Sequence, residues 1–156
     1  MKDSWILLDI DGTISPKGRL PSREKVHVGS GPSGNVAIPE SMASRVAALV
    51  ENPDIRLAWY TMWGDDANEI VAPALGMEPL PVIPYAGGYD APAFLKATGL
   101  LQWKEAGRHE GRFAILDDDP PEGVDLPTDV RVFAVDSRKG LQQADIDSAL
   151  SWLAQE

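Results

Sequence analysis

The chain has 156 residues, of which 44% are hydrophobic and 24% are charged, as in ordinary globular proteins and unlike disordered ones. It contains no cysteine, which excludes a disulfide scaffold, a zinc–thiolate site and a cysteine nucleophile. Fourteen basic and 24 acidic side chains give a net charge of −10, which opposes nonspecific binding of nucleic acid at long range. A metal ion would have to be bound by oxygen or by His27 and His109, and oxygen ligands favour hard cations such as Mg²⁺.

The first apolar run, at residues 5–8, is too short for a signal peptide or a membrane span. We therefore expect a cytoplasmic protein that does not associate with membranes. A chain of this length can bury one hydrophobic core, so a single domain over residues 1–156 is expected. The sequence gives no basis for predicting an oligomeric state.

Predicted strands and helices alternate along the chain. Apolar runs typical of buried parallel strands lie at residues 5–8, 55–60, 81–83, 113–116 and 130–135. Stretches with helical character lie at residues 40–51, 65–75, 91–106 and 145–155. This alternation predicts an α/β fold with three α/β/α layers, Rossmann-like, around a central, mostly parallel five-stranded sheet.

Residues 15–39 interrupt the alternation. They are rich in Gly, Pro and Ser, and short alternating runs at 25–29 and 35–38 predict a β-hairpin flap with its turn at Gly31-Pro32. The alternative is an irregular surface loop. Basic side chains on the flap could contact a polyanion or simply keep it solvated; they are Arg19, Arg23, Lys25 and His27.

Polar side chains follow the predicted strands at the edge where open parallel sheets bind ligands. The first strand is followed by Asp9 and Asp11, the second by Thr61, and the fourth by the run Asp117-Asp118-Asp119. Lys96 lies at the start of the helix that precedes the fourth strand. These side chains are therefore expected to converge.

Such a set can transfer a phosphoryl group. Asp9 can attack phosphorus and form an aspartyl-phosphate. Asp11 can protonate the leaving oxygen and later deprotonate water. The Thr61 hydroxyl can donate to the phosphoryl oxygens, and Lys96 can neutralise charge on the nucleophile and the phosphate.

The acidic run also predicts a Mg²⁺ site. Four or five converging carboxylates would repel one another without a cation. Asp9, Asp117 and the backbone carbonyl of Asp11 would be sufficient protein ligands, because Mg²⁺ keeps several waters. Each element alone is more often structural: Asp-x-Asp as a turn or cap, a lysine as a surface charge, an aspartate run as a loop. Their order along the chain favours catalysis.

The sequence resembles the haloacid dehalogenase (HAD) superfamily of phosphohydrolases. Residues 9–13 (Asp-Ile-Asp-Gly-Thr) are similar to its first motif, Thr61 to the second, Lys96 to the third and Asp117-Asp118 to the fourth. The resemblance implies a nucleophile at Asp9, an acid/base at Asp11, phosphate stabilisers at Thr61 and Lys96, and Mg²⁺ binding by Asp117 with help from Asp118.

Residues 5–153 further resemble a compact subgroup that includes HAD domains attached to RNA-repair proteins of bacteria and phages. Met62 departs from this subgroup, which often has Gly there. Lys104 is an alternative to Lys96 as the motif lysine; we favour Lys96, because it is expected nearer the catalytic end of its helix.

The resemblance also implies a domain without a cap, because the insertions are only the flap and a connection at residues 81–89. An open site suits a phosphate on a large substrate, such as a nucleic-acid end or a protein, or a site covered by a partner subunit. Trp63 and Tyr85 could stack on a base, although packing is the simpler interpretation.

The favoured function is therefore that of a Mg²⁺-dependent phosphomonoesterase acting on a nucleotide or a nucleic-acid terminal phosphate. Two alternatives remain open: a phosphate-binding or phospho-acceptor module without turnover, and an interaction protein with a dormant site.

Overall fold

A computed structural model describes residues 3–20, 23–85 and 92–155. In chain order the strands are β1 (Asp3–Leu8), β2 (Val26–Gly31), β3 (Gly34–Pro39), β4 (Arg56–Trp59), β5 (Gly111–Asp117) and β6 (Val130–Ala134). The helices are α1 (Glu40–Glu51), α2 (Ala72–Ala74), α3 (Ala93–Gly107) and α4 (Gln143–Leu153), and a π-helical segment, Ala67–Val71, leads into α2.

The central sheet has the strand order β4-β1-β5-β6, with all neighbours parallel. Successive side chains of a strand point to opposite faces. Ile6 and Leu8 belong to the core that includes residues of α1 and α4, whereas Trp5 and Leu7 pack in the core that includes Leu100 of α3. Burial of both faces explains the continuous apolar runs, and the predicted three-layer α/β/α architecture is confirmed.

The sheet has four strands where the sequence predicted five. Val82 forms only an isolated parallel bridge to Trp59, supported by bonds from the Trp59 amide to the Pro81 carbonyl (2.8 Å) and from the Ile83 amide to the Trp59 carbonyl (3.0 Å). Proline has no amide hydrogen to donate to a ladder. Prolines at positions 79, 81 and 84 therefore limit this segment to a bridge.

The flap is the predicted hairpin. Strands β2 and β3 pair antiparallel from Val26 with Pro39 to Gly31 with Gly34, so the turn is Pro32-Ser33, one residue later than predicted. Val36 and Ile38 are buried in the main core, and this burial anchors the hairpin to the domain. Apart from the hairpin, the part of the chain that the structure describes contains no large cap domain.

The boundaries of three helices differ from the predictions; one of them, α3, ends at Gly107 rather than at residue 106. The segment predicted at 65–75 begins as a π-helix because Pro73 cannot donate to the helical ladder. Helix α4 begins at Gln143 rather than 145, because the Asp145 carboxylate accepts a bond from the Gln142 amide (2.8 Å) and caps it there. Ala91, the first residue of the third predicted helix, and residues 86–89 of the predicted connection lie outside the described residues.

Among the described residues, no helix is both long enough and apolar enough to cross a membrane.

Candidate active site

A pocket of about 170 Å³ lies beyond the carboxyl ends of β1, β4 and β5. Distant parts of the chain contribute its lining residues, which are Asp9, Asp11, Lys17, Thr61, Met62, Lys96, Asp117, Asp118 and Asp119. The structure therefore brings together every side chain that the sequence singled out for catalysis or metal binding. It also adds Lys17 and Met62.

Strand register places the key side chains next to one another. Leu8 of β1 pairs with Leu116 of β5, so Asp9 and Asp117 leave neighbouring strands at the same level. The Asp9 amide continues the ladder by donating to the Leu116 carbonyl (3.1 Å). On the other side of β1, the Tyr60 amide donates to the Leu8 carbonyl (2.7 Å), which brings Thr61 to the same edge.

The chain turns sharply at Gly12, where φ is +77°. A Cβ atom at this position would lie 2.2 Å from Oδ2 of Asp118, so a larger residue would displace that carboxylate. The Ile10 carbonyl accepts bonds from the Thr13, Ile14 and Ser15 amides at 3.0–3.1 Å, and these bonds fix the turn. Gly12 thus supplies both the left-handed backbone and the space for Asp118.

Lys96 connects the nucleophile candidate to the acidic run. Its Nζ lies 2.5 Å from Oδ2 of Asp117 and 3.4 Å from Oδ1 of Asp9. It also lies 4.6 Å from the centre of the Tyr60 ring. Its side chain is only 5% exposed, and the two carboxylates balance the cost of burying its charge.

Lys104, the alternative lysine, lies near the other end of α3. Its Nζ contacts Oδ2 of Asp129 at 2.6 Å, just before the start of β6. It lines a different cavity together with Arg108 and His109, at the amino ends of the strands. The structure thus places Lys96, and not Lys104, beside Asp9.

Three carboxylates are arranged so that they could hold a cation. Oxygen atoms of Asp9, Asp117 and Asp118 lie within 4.8 Å of one another. Asp11 lies outside this group, and its Oδ2 accepts a bond from Nε1 of Trp63 (2.8 Å). An all-oxygen set of this kind suits Mg²⁺ or another hard cation.

The active-site pocket has an excess of negative charge. Five aspartates and two lysines line it. Burial raises the pKa of Asp9 well above its ordinary value, against the opposing effect of Lys96 and with a further contribution from Asp117. Burial likewise raises the pKa of Asp117, and Lys96 again opposes the shift. A divalent cation would relieve this repulsion, so the donor set fits the predicted Mg²⁺.

Lys96 itself keeps its proton. Burial acts to lower its pKa, but the carboxylates of Asp9 and Asp117 outweigh that effect and raise it above the ordinary value. The ammonium group is therefore a permanent positive charge in the pocket, available to a phosphoryl oxygen.

Trp63 makes two hydrogen bonds in the pocket that the sequence did not reveal. Besides the bond from its indole N–H to Asp11, its backbone amide donates to the Thr61 hydroxyl oxygen (3.3 Å). It is 3% exposed, which leaves no face for a base and supports the packing interpretation. Tyr85 is half-buried, and its hydroxyl donates to the Met62 carbonyl (2.9 Å).

Lys17 also lines the pocket, although nothing in the sequence pointed to it. Its Nζ lies 3.2 Å from Oδ2 of Asp118, while most of its side chain remains exposed. It enters the pocket from the segment between β1 and the hairpin, where no spacing or motif identifies a functional lysine. Only the course of the backbone brings it there.

The parallel α/β sheet and the residues at its carboxyl edge define a domain of the HAD class. A family model described as the HAD domain in Swiss Army Knife RNA repair proteins matches residues 5–146, and the chain belongs to that family. Membership supports a phosphohydrolase-type function. Comparison with curated proteins and with solved structures gives no significant match.

Proposed function

We propose that the chain is a Mg²⁺-dependent phosphomonoesterase that removes a terminal phosphate from a nucleic-acid strand through an aspartyl-phosphate at Asp9. The observation that carries the proposal is the position of Lys96, between Asp9 and Asp117 and at the wall of an open pocket. The substrate class is suggested by the RNA-repair proteins in which the family's HAD domains occur.

In the first step, a carboxylate oxygen of Asp9 attacks phosphorus, and the bond from phosphorus to the leaving oxygen breaks. Asp11 gives a proton to that leaving oxygen. Asp11 is protonated at the start of this step. The Trp63 indole N–H holds its carboxyl group at the pocket wall, and the Lys96 ammonium stabilises the negative charge on the phosphoryl group.

In the second step, the Asp11 carboxylate removes a proton from water while that water attacks phosphorus. The bond between Asp9 and phosphorus breaks, which releases inorganic phosphate and restores the Asp9 carboxylate. Thr61, buried just after the end of β4, donates a hydrogen bond from its hydroxyl to a phosphoryl oxygen in both steps.

Asp9, Asp117 and Asp118 would hold the cation through their carboxylates, and Asp11 through its backbone carbonyl. When bound, Mg²⁺ would neutralise charge on the phosphoryl group and orient it for in-line attack.

Phosphate release from p-nitrophenyl phosphate and from 3′- and 5′-phosphorylated RNA tests the proposal. We expect hydrolysis that requires Mg²⁺, stops with EDTA and is abolished by Asp9→Asn. Asp54→Asn is the matched control, because Asp54 is exposed and lies outside the pocket. Asp11→Asn should allow labelled phosphoenzyme to accumulate.

Two results would count against turnover. Equal inactivity of the wild type and Asp9→Asn on all these esters would refute the phosphatase. Stable labelling of Asp9 by acetyl phosphate, without release, would favour the phospho-acceptor alternative, since such a module needs the nucleophile, the hydroxyl and the lysine but no working acid/base.

A further inference from the structure

A second pocket of about 340 Å³ lies beside the active site and carries the opposite charge. Its described lining includes four cationic residues and no carboxylate; the cations are Arg19, Arg45, Arg138 and Lys139. We call it the basic pocket. In a chain with a net charge of −10, such a local concentration of positive charge needs a physical reason.

Within residues 3–20, 23–85 and 92–155, none of these four cations forms a salt bridge. The lysines and arginines that do so there are Lys17, Arg56, Lys96 and Lys104. The Arg45 guanidinium donates to the Leu141 carbonyl (3.0 Å), whereas Arg19, Arg138 and Lys139 are exposed.

Nearby carboxylates bind backbone amides instead of the cations. Glu24 accepts a bond from the Ser41 amide (2.7 Å), and Asp136 accepts bonds from the Arg138 and Lys139 amides (2.9 and 3.3 Å). The second contact fixes the turn that presents Arg138 and Lys139. Glu24 also interacts with the charge of Arg45 at longer range. Because neither carboxylate forms a salt bridge with these cations in the described residues, positive charge remains in the pocket that an anion would stabilise.

One backbone segment borders both pockets. Lys17 extends from it to Asp118 in the active site, and Arg19 lines the basic pocket. The Lys17 amide donates to the Ser137 carbonyl (2.7 Å). A Cβ atom on Gly18 would lie 2.4 Å from the Arg138 carbonyl oxygen, so the segment lies directly on the turn that carries Arg138.

The turn is also attached to the first motif. The Leu141 amide donates to the Thr13 carbonyl (2.7 Å), two residues after Asp11. The basic pocket and the catalytic aspartates are thus held in one bonded framework, and a ligand that is long enough could occupy both.

We propose that the basic pocket is a second phosphate-binding subsite, which binds a phosphodiester of the strand whose terminal phosphate enters the active site. This rests on the proposed function. Arginines, which make three of the four cations, bind phosphate oxygens through two parallel N–H bonds. The exposure of Arg19 and Arg138 suits a phosphodiester that stays partly hydrated along a strand, rather than a phosphate enclosed by protein.

Binding of single-stranded RNA that carries fluorescein and no terminal phosphate tests the subsite separately from catalysis. The variant Arg138→Gln/Lys139→Gln removes two pocket charges. Arg108→Gln/Arg131→Gln is the matched control, because it removes two exposed arginines near the amino ends of β5 and β6. Both variants therefore carry the same net charge, and any difference between them is local.

We expect fluorescence anisotropy to show RNA binding about tenfold weaker in the pocket variant, with the control within about twofold of the wild type. The slope of log Kd against log salt should fall by about 0.7 for each RNA phosphate that the variant no longer neutralises. Equal weakening of RNA binding in both variants would overturn the subsite, because only net charge would then matter.

Enzyme kinetics and calorimetry separate this inference from the proposed function. The pocket variant should hydrolyse p-nitrophenyl phosphate at the wild-type rate but show a raised KM for phosphorylated RNA. If the wild type hydrolyses no ester, the proposed function fails, yet the RNA-binding difference still decides the subsite. If calorimetry shows that the pocket variant no longer binds inorganic phosphate while RNA binding is unchanged, the pocket serves free phosphate and the inference is wrong.

Discussion

Helix α3 has a lysine near each end, and each lysine pairs with an aspartate from another part of the chain. The two pairs have similar contacts but differ in burial. Lys96 lies 2.5 Å from Asp117 and 4.6 Å from the centre of an aromatic ring. Lys104 lies 2.6 Å from Asp129 and also 4.6 Å from a ring centre. The local contacts hardly differ, but Lys96 and Asp117 are 5% and 0% exposed, whereas Lys104 and Asp129 are 13% and 41% exposed.

The surroundings of each pair explain the difference. Near Lys96 a second carboxylate, that of Asp9, lies 3.4 Å away, and the pair faces a pocket. Lys104 also borders a cavity, but Asp129 is its one salt-bridge partner among the described residues. The neighbouring groups are aromatic: Trp103 lies 3.9 Å from His109 and meets Trp5 edge to face at 5.3 Å, measured between ring centres. A lysine–aspartate pair becomes a candidate site when a further charge is left for a ligand to neutralise.

Replacement of each lysine by methionine is the strongest test of this comparison. We expect Lys96→Met to lower kcat/KM for p-nitrophenyl phosphate about 10²- to 10³-fold, since it removes a charge that stabilises the transition state. Lys104→Met should stay within about twofold, because a partly exposed pair contributes only about 0–1 kcal/mol of stability. Steady-state kinetics in saturating Mg²⁺ measures both.

Loss of Lys96 also leaves two buried carboxylates unpaired, which can cost about 3–5 kcal/mol of folding stability. Lys96→Arg, which keeps the charge, controls for this effect, and circular dichroism should verify that each variant is folded. Comparable activity losses in Lys104→Met and Lys96→Met would break the comparison and reopen the choice of motif lysine.

Mg²⁺ should raise the Tm of the protein through the aspartate near Lys96, Asp117, and not through the aspartate near Lys104, Asp129. At 100 times its Kd, a ligand specific for the folded state adds about 2.7 kcal/mol, which corresponds to a rise in Tm of about 5–10 °C for a chain of this size. Asp117→Asn should abolish the rise, and Asp129→Asn should preserve it. A Tm rise that survives Asp117→Asn would place the cation elsewhere.

The rise in Tm caused by Mg²⁺ should be larger at high pH than at low pH. Because the pKa values of Asp9 and Asp117 are raised by folding, their contribution to stability without metal is present below the unfolded values and is lost as the pH rises through the folded values. Protons therefore compete with Mg²⁺. The rise in Tm should shrink as the pH falls through the raised pKa values, and a rise independent of pH would contradict this arrangement.

The comparison of Lys96 with Lys104 also shows which parts of the fold and the site can be predicted from the sequence. The apolar runs predicted β1 and β5, and Asp9 and Asp117 follow from where those strands end. Spacing could not choose firmly between Lys96 and Lys104, since both lie on one helix before β5 and only packing decides which faces Asp9. Lys17, Trp63 and the basic pocket depend on contacts between distant segments, for which one sequence carries no pattern. The prolines around residue 82 explain the missing strand, because apolar character alone does not supply amide donors.

Substitution of Gly12 should have a smaller effect. It separates the loss of stability caused by backbone strain from the loss of Mg²⁺ binding caused by displacement of Asp118. Gly12 and Gly123 have nearly equal φ values of +77° and +73°, but a Cβ on Gly123 would meet nothing within 4 Å. Each alanine substitution should cost about 1–2 kcal/mol in stability from the left-handed backbone. Only Gly12→Ala should also weaken Mg²⁺ binding, since it displaces Asp118.

Isothermal calorimetry for Mg²⁺ and thermal denaturation measure the two effects separately. We expect a Kd for Mg²⁺ raised about tenfold in Gly12→Ala, equivalent to about 1.4 kcal/mol, and an unchanged Kd in Gly123→Ala. Identical Kd values in both variants would mean that the close approach of Gly12 to Asp118 is unrelated to cation binding.

Two buried tryptophans provide the finest comparison. The indole N–H of Trp63 donates to Asp11 at 2.8 Å, and that of Trp59 donates to Asn68 at 2.9 Å. Phenylalanine at either position loses one hydrogen bond of about 0.5–1.5 kcal/mol, so both variants should lose similar stability. Only Trp63→Phe removes a hydrogen bond to a residue assigned to proton transfer. We expect it to lower kcat by about tenfold or less, because Asp11 remains present but less well oriented.

KM should change little in either variant, since neither indole N–H is expected to contact the phosphate. The decisive reading is the rate at which labelled phosphoenzyme breaks down in a single turnover, where Asp11 acts as the base. Slower breakdown in Trp63→Phe but not in Trp59→Phe would identify Trp63 as a positioning residue for Asp11. Equal breakdown rates would mean that the bond from Trp63 does not position Asp11 for proton transfer.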